Sequence, residues 1–187
     1  MTTIEKTIKL IDSIFRSEAI PYTIIGGIAN IIHGSGRTTE DIDLVIHLEL
    51  EDFENTINIL INEFIPLKEN PLHFFRSYFV LPLKHKTYGT RIDVSAALSE
   101  FERKAIQRST RKSFGISEAN FCTPEDLILF KLVAHRDQDI IDVRELINRL
   151  KDSIDQNYLL TTAKLFGEID RQDIYEFLIH ILGENKG

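Results

Sequence analysis

The stretch TIIGGIANIIHGSGRTTEDIDLVI, Thr23 to Ile46, places two adjacent glycines after one apolar run and two aspartates, Asp41 and Asp43, inside another. YTIIGG reads as a short buried strand ending at the glycines, and DIDLVIHL has the β-branched enrichment of a second strand. Residues two apart on a strand share a face, so Asp41 and Asp43 project together while Ile42 and Leu44 turn to a core. Two close carboxylates repel, and a divalent cation lets both stay ionised. Hard oxygen ligands of this kind suit Mg²⁺ or Mn²⁺ rather than zinc. Asp93 in TRIDVSA is a third apolar-flanked aspartate. If its strand lies beside DIDLVI, three aspartates converge at one point on a sheet. The competing reading is a set of exposed strand or turn carboxylates, which is common. Gly26-Gly27 falls between a strand and a helix, where missing side chains let backbone N–H groups approach a phosphate. It is neither a P-loop nor a dinucleotide-binding fingerprint.

Working outward, Ile4 to Ser17 shows helical spacing of apolar residues, stopped by Pro21. Ile28 to His33 is compatible with a short helix, and Phe53 to Phe64 carries a helical apolar face. FFRSYFVLPL and TRIDVSAAL read as strands around a turn at Gly89, and SFGISEANFC as one further strand. Phe74, Phe75, Tyr78 and Phe79 then belong to the sheet core. Thr123, Pro124, Glu125 and Asp126 form a strong helix start. From there the chain reads as helices over about 124–134, 140–150, 156–166 and 171–182. The pattern is α/β (α+β), with a sheet unit of residues 1–121 and a helical C-terminal part of residues 122–187.

With 187 residues, 43% of them hydrophobic and 27% charged, the chain can bury a real core. No apolar run spans a bilayer, so no membrane is expected, and the N-terminus reads as an amphipathic helix rather than a signal peptide. A lone cysteine, Cys122, excludes an internal disulfide framework, fits a reducing cytoplasm and reads as a small buried hydrophobe. The net charge of −7 argues against a general nucleic-acid-binding surface. Locally, ERKAIQRSTRK concentrates Arg103, Lys104, Arg108, Arg111 and Lys112. It reads first as a solvated helix face and turn, and second as a strip for nucleotide or RNA phosphates.

Taken together, GGIANIIHGSGRTTEDIDL resembles the signature of the polymerase β-like nucleotidyltransferase superfamily. With EDLILFKLVAHRDQDIIDVREL downstream, it resembles the AbiEii-like toxin branch. The likeness covers most of residues 20–150. It implies a nucleotidyltransferase-fold mixed sheet with flanking helices, and a metal-dependent enzyme that moves NMP from an NTP such as ATP to an acceptor hydroxyl. Asp41 and Asp43 would bind Mg²⁺ or Mn²⁺. Asp93 would be the third ligand and help deprotonate the acceptor. Gly26 and Gly27 would hold the β- and γ-phosphates, and Lys131 would contact the triphosphate. Asp139 matches an acidic position after the Lys131 helix, with Asp137 as its competitor. Arg37 would hold phosphate or order its loop, and Thr39 belongs to the same motif. Many members carry serine where this chain has Gly27, leaving only backbone for the phosphate. The acceptor implied is RNA such as a tRNA 3′ end, with a protein hydroxyl or a small molecule such as an aminoglycoside as rivals. A toxin role would bring an antitoxin partner.

Plainer readings stand beside these. Lys131 among Leu129, Phe130, Leu132 and Val133 reads, without the resemblance, as a snorkelling lysine. Asp137, Asp139 and Asp142 read as helix N-terminal carboxylates. His33 reads as packing or capping its short helix, and His135 with Arg136 as closing theirs. The alternative for the whole chain is a non-catalytic nucleotide- or partner-binding protein on the same scaffold, such as an antitoxin or regulator.

Overall fold

A computed structural model describes residues 2–49, 51–151 and 153–184. Helix α1 (Thr3–Ser17) opens with a capping box between Thr2 and Glu5 and buries Ile8, Ile11, Ile14 and Phe15. Strand β1 (Tyr22–Ile25) runs straight into helix α2 (Gly26–Ile32), which begins at the glycine pair rather than after it. Strand β2 (Asp41–Ile46), helix α3 (Phe53–Glu63) and a short edge strand β3 (Phe64–Pro66) follow. Then come helix α4 (Pro71–Tyr78), strands β4 (Val80–His85) and β5 (Arg91–Ala96), helix α5 (Glu100–Arg108), and strands β6 (Thr110–Phe114) and β7 (Ser117–Phe121). Helices α6 (Pro124–Ala134), α7 (Asp137–Leu150), α8 (Gln156–Phe166) and α9 (Gln172–Glu184) complete the described chain, with a 3-10 turn at Gly167–Ile169.

The strands form one mixed seven-stranded sheet in the order β3-β4-β5-β2-β1-β7-β6. The β2–β5 and β1–β7 pairs are parallel and the other pairs antiparallel. Among the described residues every strand lies before Thr123, and the regular elements from Pro124 onward are helices. A single apolar cluster nevertheless joins the two regions: Ile24, Ile42 and Ile92 of the sheet belong to the same core as Leu127, Ile128 and Leu132 of α6. Among the described residues no helix is long and apolar enough to cross a membrane. The architecture is a mixed sheet with flanking helices and a helical C-terminal part, as the sequence implies.

Two expected strands need correction. FFRSYFVLPL divides into the end of α4 and the start of β4. Asn70 in the left-handed region and Pro71 at the first helical position start α4, and Phe79, also left-handed, ends it. A short apolar run does not distinguish strand from helix, and here the flanking residues decide. Only Phe75 of the four aromatics is fully buried, and Tyr78 is 65% exposed. SFGISEANFC is likewise two strands: Gly115, at φ +59°, turns β6 back onto β7 as a hairpin. Arg136 does not close α6; His135 does, at φ 52°, and Arg136 is the residue before α7.

The basic segment is largely spent on structure. Arg111 of β6 forms a two-pronged ion pair with the buried Asp12 of α1, at 2.8 and 2.7 Å, and Tyr22 donates its hydroxyl proton to the same carboxylate at 2.6 Å. Burial alone would raise the Asp12 pKa, but these bonds and the Arg111 charge bring it below the ordinary value. Arg108 bonds the fully buried Asp126 at 3.1 Å and lies over the Tyr158 ring, whose hydroxyl donates to Asp126 at 2.6 Å. These contacts fasten α5 and α8 to α6.

Candidate active site

Strand alternation places the aspartates as anticipated locally: Asp41, Asp43 and Asp93 are half-buried, while Ile42, Leu44, Ile92 and Val94 between and beside them are at most 1% exposed. The parallel pairing of β2 with β5 puts Asp43 directly opposite Asp93, across one inter-strand spacing of about 4.8 Å. Asp41 pairs instead with Arg91. Asp41 therefore stands one step along β2 from the Asp43–Asp93 pair, near enough for its charge to raise the pKa of both. Among the described residues, no group of three His, Cys, Asp or Glu side chains is gathered closely enough to hold a metal ion. What forms is an Asp43–Asp93 pair with Asp41 about 7 Å along the same face.

The glycine pair has a steric reason. Gly26 sits at φ +65°, and a Cβ there would collide with the Asp43 carboxylate. A Cβ on Gly27 would lie 2.8 Å from Cβ of Thr39. The α2 N-terminus thus approaches Asp43 on one side and the loop before β2 on the other. No side chain caps α2.

A cleft of about 240 Å³ opens over the aspartate pair. Gly26, Asp43, Asp93 and Ser95 line it from the sheet side, and Phe130, Lys131, Arg136 and Asp139 from α6 and α7. Five residues expected at the site, Gly26, Asp43, Asp93, Lys131 and Asp139, thus share one cleft. Asp41, Gly27, Arg37 and Thr39 adjoin it without lining it.

Lys131 does not snorkel. It is 5% exposed, with Nζ donating to Asp142 at 2.6 Å and to Asp139 at 3.3 Å. Asp142 also accepts from Arg37 at 3.0 Å and from Gln138 at 3.0 Å. Arg136 donates to Asp139 through Nε at 2.6 Å and Nη2 at 3.3 Å. Burial opposes ionisation of Asp139, but Arg136 and Lys131 hold its pKa below the usual carboxylate value. From the sequence Asp142 reads only as a helix-end carboxylate. Its spacing from Asp139, three residues along a helix, was the available clue that both face one cation. His33, 6% exposed, bonds the Cys122 carbonyl at 2.9 Å and ties α2 to the end of β7.

The electrostatics separate two classes of aspartate. Asp12, Asp126, Asp139 and Asp142 are buried and each is paired with arginine or lysine. The carboxylates of Asp41, Asp43 and Asp93 make no hydrogen bond or ion pair among the described residues. Burial raises the Asp43 pKa, and the charges of Asp93 and Asp41 raise it further, partly offset by Arg136 and Lys131. Burial also raises Asp93, with Arg91 opposing and Asp41 adding to the shift. In-register oxygen donors without a cationic partner, beside a glycine-lined helix start, fit a hard divalent cation.

No curated protein matches the chain in sequence. Among solved structures, the fold is similar to an antigenic nucleotidyltransferase-like protein from Paracoccidioides brasiliensis, with 21% identity, a TM-score of 0.56, and coverage of 95% of this chain and 94% of that one. It is also similar to the antibiotic-resistance factor ANT(2'')-Ia, with 15% identity, a TM-score of 0.58, and coverage of 92% and 98%. A third similar structure is the lincosamide antibiotic adenylyltransferase LnuA with lincomycin bound, with 16% identity, a TM-score of 0.51, and coverage of 78% and 96%. These likenesses establish the fold. The sequence model of the family described as "Nucleotidyltransferase of unknown function (DUF6036)" matches residues 1–180, and the chain belongs to that family.

Proposed function

We propose that this nucleotidyltransferase moves NMP from an NTP to an acceptor hydroxyl with the help of Mg²⁺ or Mn²⁺ held by the Asp43–Asp93 pair, which Asp41 would join from the same face of β2. The observation that carries the reading is the Asp43–Asp93 pair, in register and without a cationic partner, in a cleft bounded by Gly26 and by Lys131 and Arg136. When bound, a divalent cation supplies neutralising charge to the triphosphate and acidifies the attacking hydroxyl. The chain's own groups do the positioning. The backbone N–H groups of Gly26 and Gly27 at the α2 N-terminus hold the β- and γ-phosphates, and Arg37 with Thr39 orders the loop leading into β2. Lys131 and Asp139 belong to the charged wall opposite. The acceptor oxygen bonds to the α-phosphorus, the bond to the β-phosphate's bridging oxygen breaks, and pyrophosphate leaves. Asp93 takes the acceptor's proton. In this scheme residues 1–121 carry the reacting centre and residues 122–187 supply the wall.

The AbiEii-like branch resemblance favours an RNA acceptor such as a tRNA 3′ end and a toxin with an antitoxin partner. The basic segment lends this less support than its composition suggests, since Arg108 and Arg111 are engaged by Asp126 and Asp12. Protein and small-molecule acceptors remain in the same scheme. Incubation with each labelled NTP, Mg²⁺ or Mn²⁺ and cell lysate shows the acceptor: a nuclease-sensitive labelled product identifies RNA. Asp43→Asn and Asp93→Asn are expected to abolish labelling while the protein stays folded. Full activity in both variants would overturn the mechanism.

A further inference from the structure

Three cations, Arg37, Lys131 and Arg136, meet two carboxylates, Asp139 and Asp142, in the wall facing the aspartate pair. One positive charge is in excess, and exposure shows where it resides. The Lys131 side chain is 5% exposed and held between both carboxylates. Arg37 is 47% exposed, but it pairs with Asp142 and does not line the cleft. Arg136 lines the cleft with its side chain 78% exposed. Its Nε and Nη2 are engaged by Asp139, which fixes the plane of the guanidinium, while Nη1 has no hydrogen bond among the described residues. A planar cation pinned on one edge and open on the other is suited to an anionic oxygen.

We infer that Arg136 is the side chain that grips the triphosphate, with Asp139 orienting it and Lys131 serving as the buried counter-charge behind. The assignment takes its ligand from the nucleotidyl-transfer reading of the same cleft, and sharpens it: the lysine singled out by sequence motif is enclosed, and the neighbouring arginine faces the ligand. An isolated acceptor phosphate would use the same chemistry, so the test separates the two sources.

Calorimetric titration of the full chain with ATP, tripolyphosphate and AMP, each with Mg²⁺, compares wild type with Arg136→Gln and Arg136→Lys. Arg136→Gln is expected to weaken ATP and tripolyphosphate binding about tenfold or more, the scale of one charged hydrogen bond, and AMP binding less than twofold. Arg136→Lys should recover part of the loss, because charge returns without the planar fork. Thermal melting of both variants, close to wild type for so exposed a side chain, confirms the fold. Unchanged tripolyphosphate binding in Arg136→Gln overturns the assignment. So does an equal loss of AMP binding, the behaviour of a site for an isolated phosphate, or a wild-type protein that binds neither ATP nor tripolyphosphate. Wild-type binding without any transfer would instead remove the nucleotidyl-transfer reading and leave Arg136 as the triphosphate contact.

Discussion

At the scale of single residues, the site depends on two atoms that are missing. Gly26 has the left-handed backbone that L side chains resist, and its absent Cβ is the space in which the Asp43 carboxylate sits. Gly26→Ala should therefore act twice. Backbone conformation alone should cost about 1 kcal/mol or more, measured by denaturant unfolding. Displacement of Asp43 should abolish nucleotide transfer in a labelled-NTP assay. A variant with wild-type stability and activity would show that the close approach has no role. The sequence displayed the glycine pair plainly, but a GG dipeptide is most often a turn. Only the contact with a carboxylate 17 residues later distinguishes this one, and local sequence does not encode that contact.

At the scale of elements, the clearest lesson is where the charges went. Helix starts, strand alternation and the D-x-D face follow from short-range chemistry and were legible in the residues. The partners of Arg108, Arg111, Asp126 and Asp12 were not, since each pair joins elements distant in the chain. The Asp12–Arg111 pair fastens α1 to the β6 edge, and its stabilisation has a defined pH dependence. Because the Asp12 pKa is lowered on folding, its contribution is present above the ordinary carboxylate value of about 3.9. It fades as pH falls through the still lower folded value. The stability gap between wild type and Asp12→Asn should thus be largest near neutrality and shrink below about pH 4 in urea unfolding series. A gap that widens in acid would contradict the pairing.

At the scale of the molecule, the unpaired aspartates are a stability cost located at the candidate active site. Raised folded-state pKa values mean that Asp43 and Asp93 weaken the fold as pH rises from the ordinary carboxylate range through those values. Two outcomes are expected from thermal melts. Asp43→Asn should melt above wild type at pH 7 without added metal, because it removes the like-charge conflict. Mg²⁺ or Mn²⁺ should raise the wild-type melting temperature more at pH 8 than at pH 5, because protons compete for the same oxygens. The cation response should disappear in Asp43→Asn. An equal response to Mg²⁺ in both proteins would place cation binding elsewhere.

The sequence by itself determined the mixed α/β class, most element positions and the shared face of Asp41 and Asp43, because periodicity, caps and turn residues act over a few residues. It also carried a nucleotidyltransferase motif, and the family model that matches residues 1–180 describes a nucleotidyltransferase family. Tertiary structure decided which aspartates meet. Parallel pairing of β2 with β5 sets Asp43 against Asp93 and Asp41 against Arg91, a register that neither strand contains alone. It likewise decided which of the two cations lining the cleft is left exposed. Lys131 and Arg136 are five residues apart, and only the docking of α7 on α6 encloses one behind Asp139 and Asp142 while leaving the other open. Local patterns fix what each element presents; the packing of distant elements fixes what each side chain meets.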